Sequence, residues 1–281
     1  MPRQPTIGDV LLIAVLMSGG VATARADAGP ENPCAGPSLL LSTLDRPTVG
    51  DSSCVVPEDH AVLEAGIQRG VLFGAPGGTF VAAPSAELRF GLPDQNELVW
   101  LPPNLQYERN DAASGNPTNT THGFGATTLG LKHEIGYSAH WQETIEDLIT
   151  APSGSPLYGS HGFGDALSGI VSYSSGGAFG LSLMLGVSSQ TVPTAAGGAR
   201  FNSINPDVVV TWLSNPRLQF YGEVYGQSHT AYGQGFGFDA DGGVQYLLDR
   251  QWEVDLEEGV RLQGTLGGFA HYTGVGLGAF F

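Results

Sequence analysis

The chain has 281 residues, 42 of them glycine, and a formal net charge of −16. Only 14% of its residues are charged and 9% are aromatic, which differs from the charge-rich, aromatic-poor composition of disordered chains. The acidic balance also argues against nucleic acid as a partner, because phosphate contacts need clustered Lys and Arg.

The N-terminus is typical of an export signal. Arg3 precedes an apolar run from Val10 to Met17, and Ala24-Arg25-Ala26 supplies a small-x-small cleavage site. This run is far shorter than the roughly 20 apolar residues that a membrane-spanning helix needs, and no other run approaches that length. We therefore expect residues 1–26 to be a signal peptide and the mature protein to be exported.

Residues 27–60 form a proline-rich segment that contains both cysteines, Cys34 and Cys54. In an exported protein such a pair is expected to form a disulfide. The bond would close a loop of about 20 residues and contribute on the order of 3 kcal/mol. A metal pair or two free thiols is the alternative. We expect a periplasmic segment, and the sequence does not determine whether it plugs a lumen.

From residue 61 onward, period-two segments alternate with turn signals, which predicts an all-β domain over 61–281. The expected fold is an antiparallel transmembrane β-barrel of about twelve strands. An even strand number fits such a barrel. The predicted strands are roughly 61–69, 80–91, 97–108, 124–136, 139–149, 164–174, 177–190, 200–213, 217–229, 235–248, 251–262 and 268–281.

The last predicted strand has the pattern of a strand that faces lipid. At period two, one of its faces carries Thr273, Val275, Leu277, Ala279 and Phe281, and Gly274, Gly276 and Gly278 lie on the other. An apolar edge of this kind fits a closed barrel, in which the last strand pairs with the first and its outer face meets lipid.

The connection lengths indicate an orientation. The turns after even-numbered strands are short, such as Ser175-Gly176, whereas those after strands 1, 3, 5 and 7 are longer, such as Arg109 to Gly123. Outer-membrane barrels have short periplasmic turns and longer external loops. We therefore expect a bacterial outer-membrane protein with both termini in the periplasm and outer-membrane lipid around it.

A Gly-Phe-Gly motif recurs near the external start of strands 4, 6 and 10. We interpret these glycines as relief of crowding at the barrel rim beside an interfacial aromatic ring. Phe163 and Phe236 agree with the outward face. Phe124 falls on the opposite face, which predicts a bulge in strand 4.

Period two also assigns residues to the lumen. Strand 5 is ambiguous, because Glu143 and Asp147 share a face with Trp141 and Ile145. The other strands send inward ten carboxylates and three bases, namely Glu64, Glu87, Glu108, Glu134, Glu223, Asp239, Asp241, Glu253, Asp255, Glu257, Arg89, Lys132 and Arg261.

This acidic lumen has two interpretations, which can coexist. In the first, the bases brace the wall against neighbouring carboxylates and the side chains partly plug a small barrel. In the second, a negatively charged pore favours cations or neutral polar solutes. On the second interpretation we predict that the solute path is lined by Glu87, Arg89, Lys132, Glu134, Glu223, Asp239, Asp241 and Asp255.

No motif for catalysis is found. The sequence has no His-x-Ser, no Gly-x-Ser-x-Gly, no HExxH and no P-loop. Its seven histidines are scattered, and we assign His122 and His161 to loops or the interface rather than to a metal. We expect no enzyme activity, no metal and no cofactor.

Five segments form a distinctive set, namely Ala86-Glu-Leu-Arg-Phe-Gly-Leu-Pro-Asp-Gln-Asn-Glu97, Thr128-Leu-Gly-Leu-Lys132, Tyr221-Gly-Glu223, Asp241-Gly-Gly-Val-Gln-Tyr-Leu-Leu248 and Val254-Asp255. Together they resemble the bacterial outer-membrane "meta-pathway of phenol degradation" family. The resemblance covers about residues 60 to 281. It implies a barrel that passes small hydrophobic or aromatic compounds, and it supplies no catalytic residues.

Together these patterns predict an outer-membrane channel or transporter for the passive passage of small solutes. The alternative is a non-transport barrel, structural or surface-interacting, whose loops 109–123 and 150–163 meet a partner. A lipid-modifying enzyme is a third hypothesis, and the missing His-x-Ser counts against it. The substrate and the oligomeric state are not determined by the sequence.

Overall fold

The computed structural model describes residues 32–36, 38–75, 77–112 and 117–281, and the expected signal peptide lies outside these residues. Strands dominate the described part of the chain, and none of its helices is long and apolar enough to cross a membrane. The elements are α1 (Leu39–Thr43), β1 (Ala61–Leu72), β2 (Gly78–Ala83), β3 (Glu87–Leu92), β4 (Asn96–Leu101), β5 (Leu105–Asn110), β6 (Asn119–Phe124), β7 (Thr128–Tyr137), β8 (Trp141–Thr150), β9 (Gly164–Ser174), β10 (Phe179–Thr191), β11 (Arg200–Asn215), β12 (Leu218–Gln227), β13 (Gly237–Leu247), β14 (Trp252–Gln263) and β15 (Phe269–Phe280), with short 3-10 turns at Thr194–Ala196 and Leu266–Gly268.

The strands form one closed antiparallel sheet. The last segment, β15, pairs with β1 from Val62↔Phe280 to Leu72↔Phe269, which leaves no free sheet edge at this seam. Three barrel strands are each built from two segments, namely β2 with β3, β4 with β5, and β6 with β7. The segments therefore make a barrel of twelve strands, and the predicted fold class is confirmed.

The three broken strands are neighbours, and their breaks lie side by side. Prolines occupy two of the breaks, at Pro84 and at Pro102-Pro103, where they cannot donate to the ladder. In the third break the inward face moves from odd to even residue numbers, from Gly123 in β6 to Gly130 in β7. The irregularity expected in strand 4 is thus a break between β6 and β7, and it leaves Phe124 55% exposed.

The connections sort by length between the two ends of the barrel. One end, the turn end, carries the chain turns 93–95, 138–140, 175–178, 216–217 and 248–251. The other end, the loop end, carries 73–77, 111–118, 151–163, 192–199, 228–236 and 264–268. The alternation read from the sequence is therefore present in the structure.

The outer surface forms an apolar belt bounded by aromatic side chains. On β10 the outward row is Phe179, Leu181, Leu183, Leu185 and Val187, as period two predicts. All four tryptophans point outward. Trp141, Trp212 and Trp252 lie near the turn end, whereas Trp100 donates to the Thr127 hydroxyl at 3.1 Å, next to the loop-end connection of β8. Such a belt is the outer surface of a barrel that is surrounded by lipid.

The segment before the barrel lies inside the lumen at the turn end. We call residues 32–60, as far as they are described, the plug. Leu40 and Leu41 of its α1 helix, with Leu44 directly after the helix, pack with Val56 of the plug and with Val62 and Leu247 of the wall. The predicted disulfide is present, with 5.6 Å between the Cα atoms of Cys34 and Cys54. The expected periplasmic segment thus occupies the barrel, because wall side chains supply the polar partners that it lacks.

The disulfide is expected to hold the plug in its docked conformation. Replacing both cysteines, Cys34→Ser with Cys54→Ser, opens the closed loop. The stability of the docked plug should then fall by on the order of 3 kcal/mol. We expect a nonspecific protease to cleave the variant within residues 32–60 while the barrel keeps its heat-shifted migration on a gel. Wild-type resistance in the variant would show that the disulfide does not order the plug.

Candidate functional site: the plugged lumen

A buried arginine of the wall binds the plug at three places. The guanidinium of Arg89, on β3, lies 3.1 Å from Asp45 Oδ2 and donates to the carbonyl oxygens of Thr43 and Cys54. It also binds two wall carboxylates, Glu97 at 2.6 Å and Glu64 at 3.2 Å. The side chain is fully buried and therefore needs partners for its charge. These carboxylates and carbonyl groups neutralise it and accept its hydrogen bonds.

A second wall base shares the same plug carboxylate. The Nζ atom of Lys132, on β7, lies 3.1 Å from Asp45 Oδ1 and 3.2 Å from Asp45 Oδ2. Asp45 therefore receives two buried cations from two different strands. A single plug residue links separate strands of the wall to each other.

One basic side chain of the plug binds carboxylates of the wall. The Nη2 atom of Arg46 lies 3.2 Å from Asp255 Oδ1 and 3.3 Å from Glu257 Oε1, both on β14. Glycines make the space for it, because a Cβ atom at Gly66 would lie 2.5 Å from the Arg46 guanidinium carbon and one at Gly276 would lie 2.7 Å from its Nε. The inward glycines of the last strand therefore accommodate the plug.

Wall carboxylates also satisfy the plug backbone. Glu223 accepts hydrogen bonds from the amides of Val49 and Gly50, the latter at 2.6 Å. Glu97 accepts one from the amide of Val56 at 2.5 Å, and Glu64 accepts one from the amide of Arg46 at 2.6 Å. These amides lie outside regular secondary structure, and buried amides of this kind need a partner.

The loop-end half of the lumen combines aromatic rings with carboxylates. Phe269 contacts Phe80, with 6.4 Å between ring centroids, and Tyr272 at 4.9 Å. The Tyr272 hydroxyl donates to Asp241 at 3.0 Å. Tyr225 and Tyr221 are buried on the same side of the barrel. We call this half the vestibule, and its side chains combine aromatic rings with hydrogen-bond acceptors.

A cavity of about 430 Å³ lies between the plug and one wall of the barrel. Its wall side includes Ser172, Gly180, Ser182 and Thr211, which are small and uncharged, and it reaches Tyr221. The plug side includes the disulfide and Asp51. We call this space the side cavity.

The structure places the eight predicted path residues on the inner face, in three kinds of environment. Arg89, Lys132, Glu223 and Asp255 bind the plug. Glu134 accepts a hydrogen bond from Gln142, Asp241 accepts one from Tyr272, and Asp239 is paired across strands with Arg261. Glu87 is paired with Glu64 across β1 and β3. None of the eight lines the side cavity, and their role in a solute path stays a prediction.

Several lumen residues were missed by the sequence reasoning. On β8, Gln142, Thr144 and Glu146 point inward and are buried, and Glu143 and Asp147 point outward. The faces of predicted strand 5, which were ambiguous, are thereby assigned. The face that carries Trp141 and Ile145 is the lipid face. Glu97 was missed because the break at 102–104 reverses the alternation on its strand.

The inward position of Asp207 could have been predicted from the sequence. It is buried on β11, and the outward residues Val208, Val210 and Trp212 already assign odd positions there to the lumen. A Cβ atom at Gly50 would lie 2.8 Å from the Asp207 carboxyl carbon, so the plug backbone covers this side chain.

The sequence matches the family model described as "Putative MetA-pathway of phenol degradation" over residues 44–275. The chain belongs to this family. The match begins within the plug, at Leu44, so the family pattern includes most of the segment that contacts Arg89, Glu223 and Glu97. No curated protein matches the sequence.

The solved structures with a similar fold include porins. NanC porin has a TM-score of 0.49 at 12% identity, over 78% of this chain and 98% of that chain. KdgM porin has a TM-score of 0.45 at 10% identity, over 78% of this chain and 99% of that chain. The outer-membrane channel DcaP of Acinetobacter baumannii has a TM-score of 0.37 at 8% identity, over 81% of this chain and all of that chain.

The closed barrel, its apolar belt and its polar lumen make this family member an outer-membrane protein of channel architecture. Because outer-membrane barrels have short periplasmic turns, we expect the turn end to face the periplasm and the plug to lie between the vestibule and the periplasm. Within the described residues, no group of three or more His, Cys, Asp and Glu side chains is arranged to hold a metal ion.

Removing the Arg89 charge is expected to destabilise the whole assembly. Arg89→Ala leaves Asp45, Glu64 and Glu97 without their shared cation, and breaking a buried pair in this way costs about 3–5 kcal/mol. Urea unfolding in lipid vesicles, followed by tryptophan fluorescence, measures the loss. Arg217→Ala, at an exposed turn, is the control and should change stability by less than about 0.5 kcal/mol.

Plug docking is expected to strengthen as the pH falls. The pKa of Asp51 is raised by burial and by the Asp45 carboxylate, against the hydrogen bond from Glu146 and the charges of Lys132 and Arg89. A raised pKa in the docked state means that this contribution is present at low pH and is lost as the pH rises through the docked-state pKa.

Asp51→Asn should flatten this part of the pH dependence. Protease accessibility of the plug, measured from acidic to neutral pH in both proteins, provides the comparison. Equal pH profiles for the wild type and the variant would exclude Asp51 as the titrating group.

Proposed function

We propose that the protein passes small, uncharged solutes with aromatic rings passively across the outer membrane. The route runs from the loop end through the vestibule into the side cavity and leaves at the turn end. The observation that supports the proposal is the side cavity, a space between the plug and the wall that the plug leaves unfilled.

The charges of the lumen support an uncharged solute. Several of the lumen charges that could attract ions are instead paired between the wall and the plug, as the contacts of Arg89, Arg46 and Glu223 illustrate. The wall of the side cavity offers hydroxyl groups and small side chains instead. A neutral solute with a few hydrogen-bonding groups would cross it without losing the hydration of a charge.

The vestibule supports an aromatic solute. Rings of Phe80, Phe269 and Tyr272 give stacking or edge contacts, and the Asp241 carboxylate can accept a hydrogen bond from a hydroxyl group. The family description refers to phenol degradation, and phenols have this combination of a ring and a hydroxyl donor.

A non-transport barrel is the competing function, and the plug is the observation that favours it. A lumen closed by buried ion pairs would suit a structural or surface-interacting protein. Flux through the side cavity distinguishes the two functions.

Filling the side cavity is expected to reduce flux. Ser182 lines it, so Ser182→Trp should lower the entry of phenol into liposomes that contain the protein. Leu183→Trp is the matched control, because the next residue points to lipid and leaves the cavity unchanged. Equal flux in the two variants, or no flux above empty liposomes in the wild type, would contradict the proposed route.

The vestibule carboxylates are expected to determine how strongly the barrel prefers cations over anions when it conducts ions. Neutralising them with Asp239→Asn and Asp241→Asn removes two inward negative charges near the loop end and should lower the cation preference. The reversal potential of single channels in a salt gradient measures it. An unchanged reversal potential would remove both residues from the path.

A further inference from the structure

Charged residues occur on the lipid-facing side of the barrel at its closing seam. Glu258 on β14 is paired across strands with Thr273 on β15, and Thr273 is paired with Arg69 on β1. All three are exposed on the outer face, with the Glu258 side chain 57% exposed. We call Glu258, Thr273 and Arg69 the charged row.

The charged row lies within the apolar belt, with lipid-facing residues on both sides of it. On β1, Arg69 stands between Ile67 and Val71, which both point outward. On β14, Glu258 stands between Leu256 and Val260. An arginine that faces lipid destabilises a barrel, most strongly at the middle of the bilayer and less near its edges.

The charges of the row are incompletely paired within one barrel. Thr273 donates to Glu258 at 2.5 Å, and His271 lies 3.9 Å from the same carboxylate. Among the described residues, the Arg69 guanidinium has no hydrogen-bond or ion-pair partner. A surface with unpaired charge in lipid indicates that something other than acyl chains covers it.

We propose that the charged row is the contact between two copies of this chain, related by a two-fold axis along the membrane normal beside Thr273. The row has an acid at one end, a base at the other and Thr273 between them. A two-fold axis of this direction places β14 of one barrel opposite β1 of the other. Each Arg69 then faces the Glu258 of the partner, and the contact is self-complementary.

The geometry permits this pairing. Strand tilt gives the two ends of the row a height difference of roughly 6 Å, from strand spacing and typical tilt, which a long arginine side chain can span. A phosphate-bearing lipid is the less favourable occupant, because Glu258 and the acidic balance of the chain would repel it. The inference does not depend on what passes through the lumen.

A cysteine at the centre of the row tests the contact directly. Both native cysteines are joined in the plug disulfide, so Thr273→Cys adds the single free thiol of the described chain. Mild oxidation of outer membranes should give a covalent dimer on a non-reducing gel. Val208→Cys, outward on another wall, is the matched control and should stay monomeric.

Charge exchange tests the pairing. Arg69→Glu alone and Glu258→Arg alone should reduce Thr273→Cys cross-linking at least tenfold, and the double exchange should restore it. Asp147→Asn, which removes an outward carboxylate whose cross-strand neighbours are Leu131 and Leu167, should leave it unchanged. Heat-shifted migration reports that each variant is folded.

Two results would overturn the proposal. One is a folded Thr273→Cys protein that stays monomeric on oxidation. The other is cross-linking that both single charge variants leave intact, which would place Thr273 near a partner without any role for the charges.

Discussion

The buried charge of Arg89 is the interaction on which the rest of the lumen depends. A guanidinium without water must be matched by acceptors, and the wall alone supplies only Glu64 and Glu97. Asp45 and two carbonyl groups of the plug complete the set. The wall and the plug therefore compensate the charge of Arg89 together. Either part alone would leave buried polar groups without partners.

The same need for hydrogen-bond and charge partners explains how the plug can lie inside an acidic lumen. The carboxylates of Glu223, Glu97 and Glu64 receive backbone amides, and those of Asp255 and Glu257 receive Arg46. A segment with few regular hydrogen bonds finds its partners in the wall. The part that the plug does not fill is the uncharged patch formed by Ser172 on β9, Gly180 and Ser182 on β10 and Thr211 on β11.

Much of the barrel could be predicted from the sequence because its physics is local. Alternation along a strand records which face meets lipid, and the lengths of turns record which end is periplasmic. The even strand number, the outward rows of β10 and β14 and the inward carboxylates of β12 and β13 follow from these patterns. The pattern failed where the chain departs from it: the breaks at Pro84 and Pro102-Pro103 reverse the alternation, and Glu97 was missed for that reason.

The position of the plug could not be predicted, because it depends on contacts between residues far apart in the chain. Arg46 lies more than 200 residues from Asp255, and nothing local to Arg46 indicates that partner. The glycines of β15 were visible as a row, but only the structure shows that they make room for Arg46, Leu44 and Glu257. The eight predicted path residues were assigned to the correct face, whereas their partners in the plug were not foreseen.

Hydrogen exchange of the plug amides, followed by mass spectrometry on the protein in lipid, tests the central claim most directly. If the plug is docked by the lumen charges, peptides covering residues 45–56 should exchange as slowly as peptides from the barrel strands, since the amides of Arg46, Gly50 and Val56 are bonded to wall carboxylates. Exchange at the rate of an unstructured chain, in a barrel whose strands stay protected, would contradict the account.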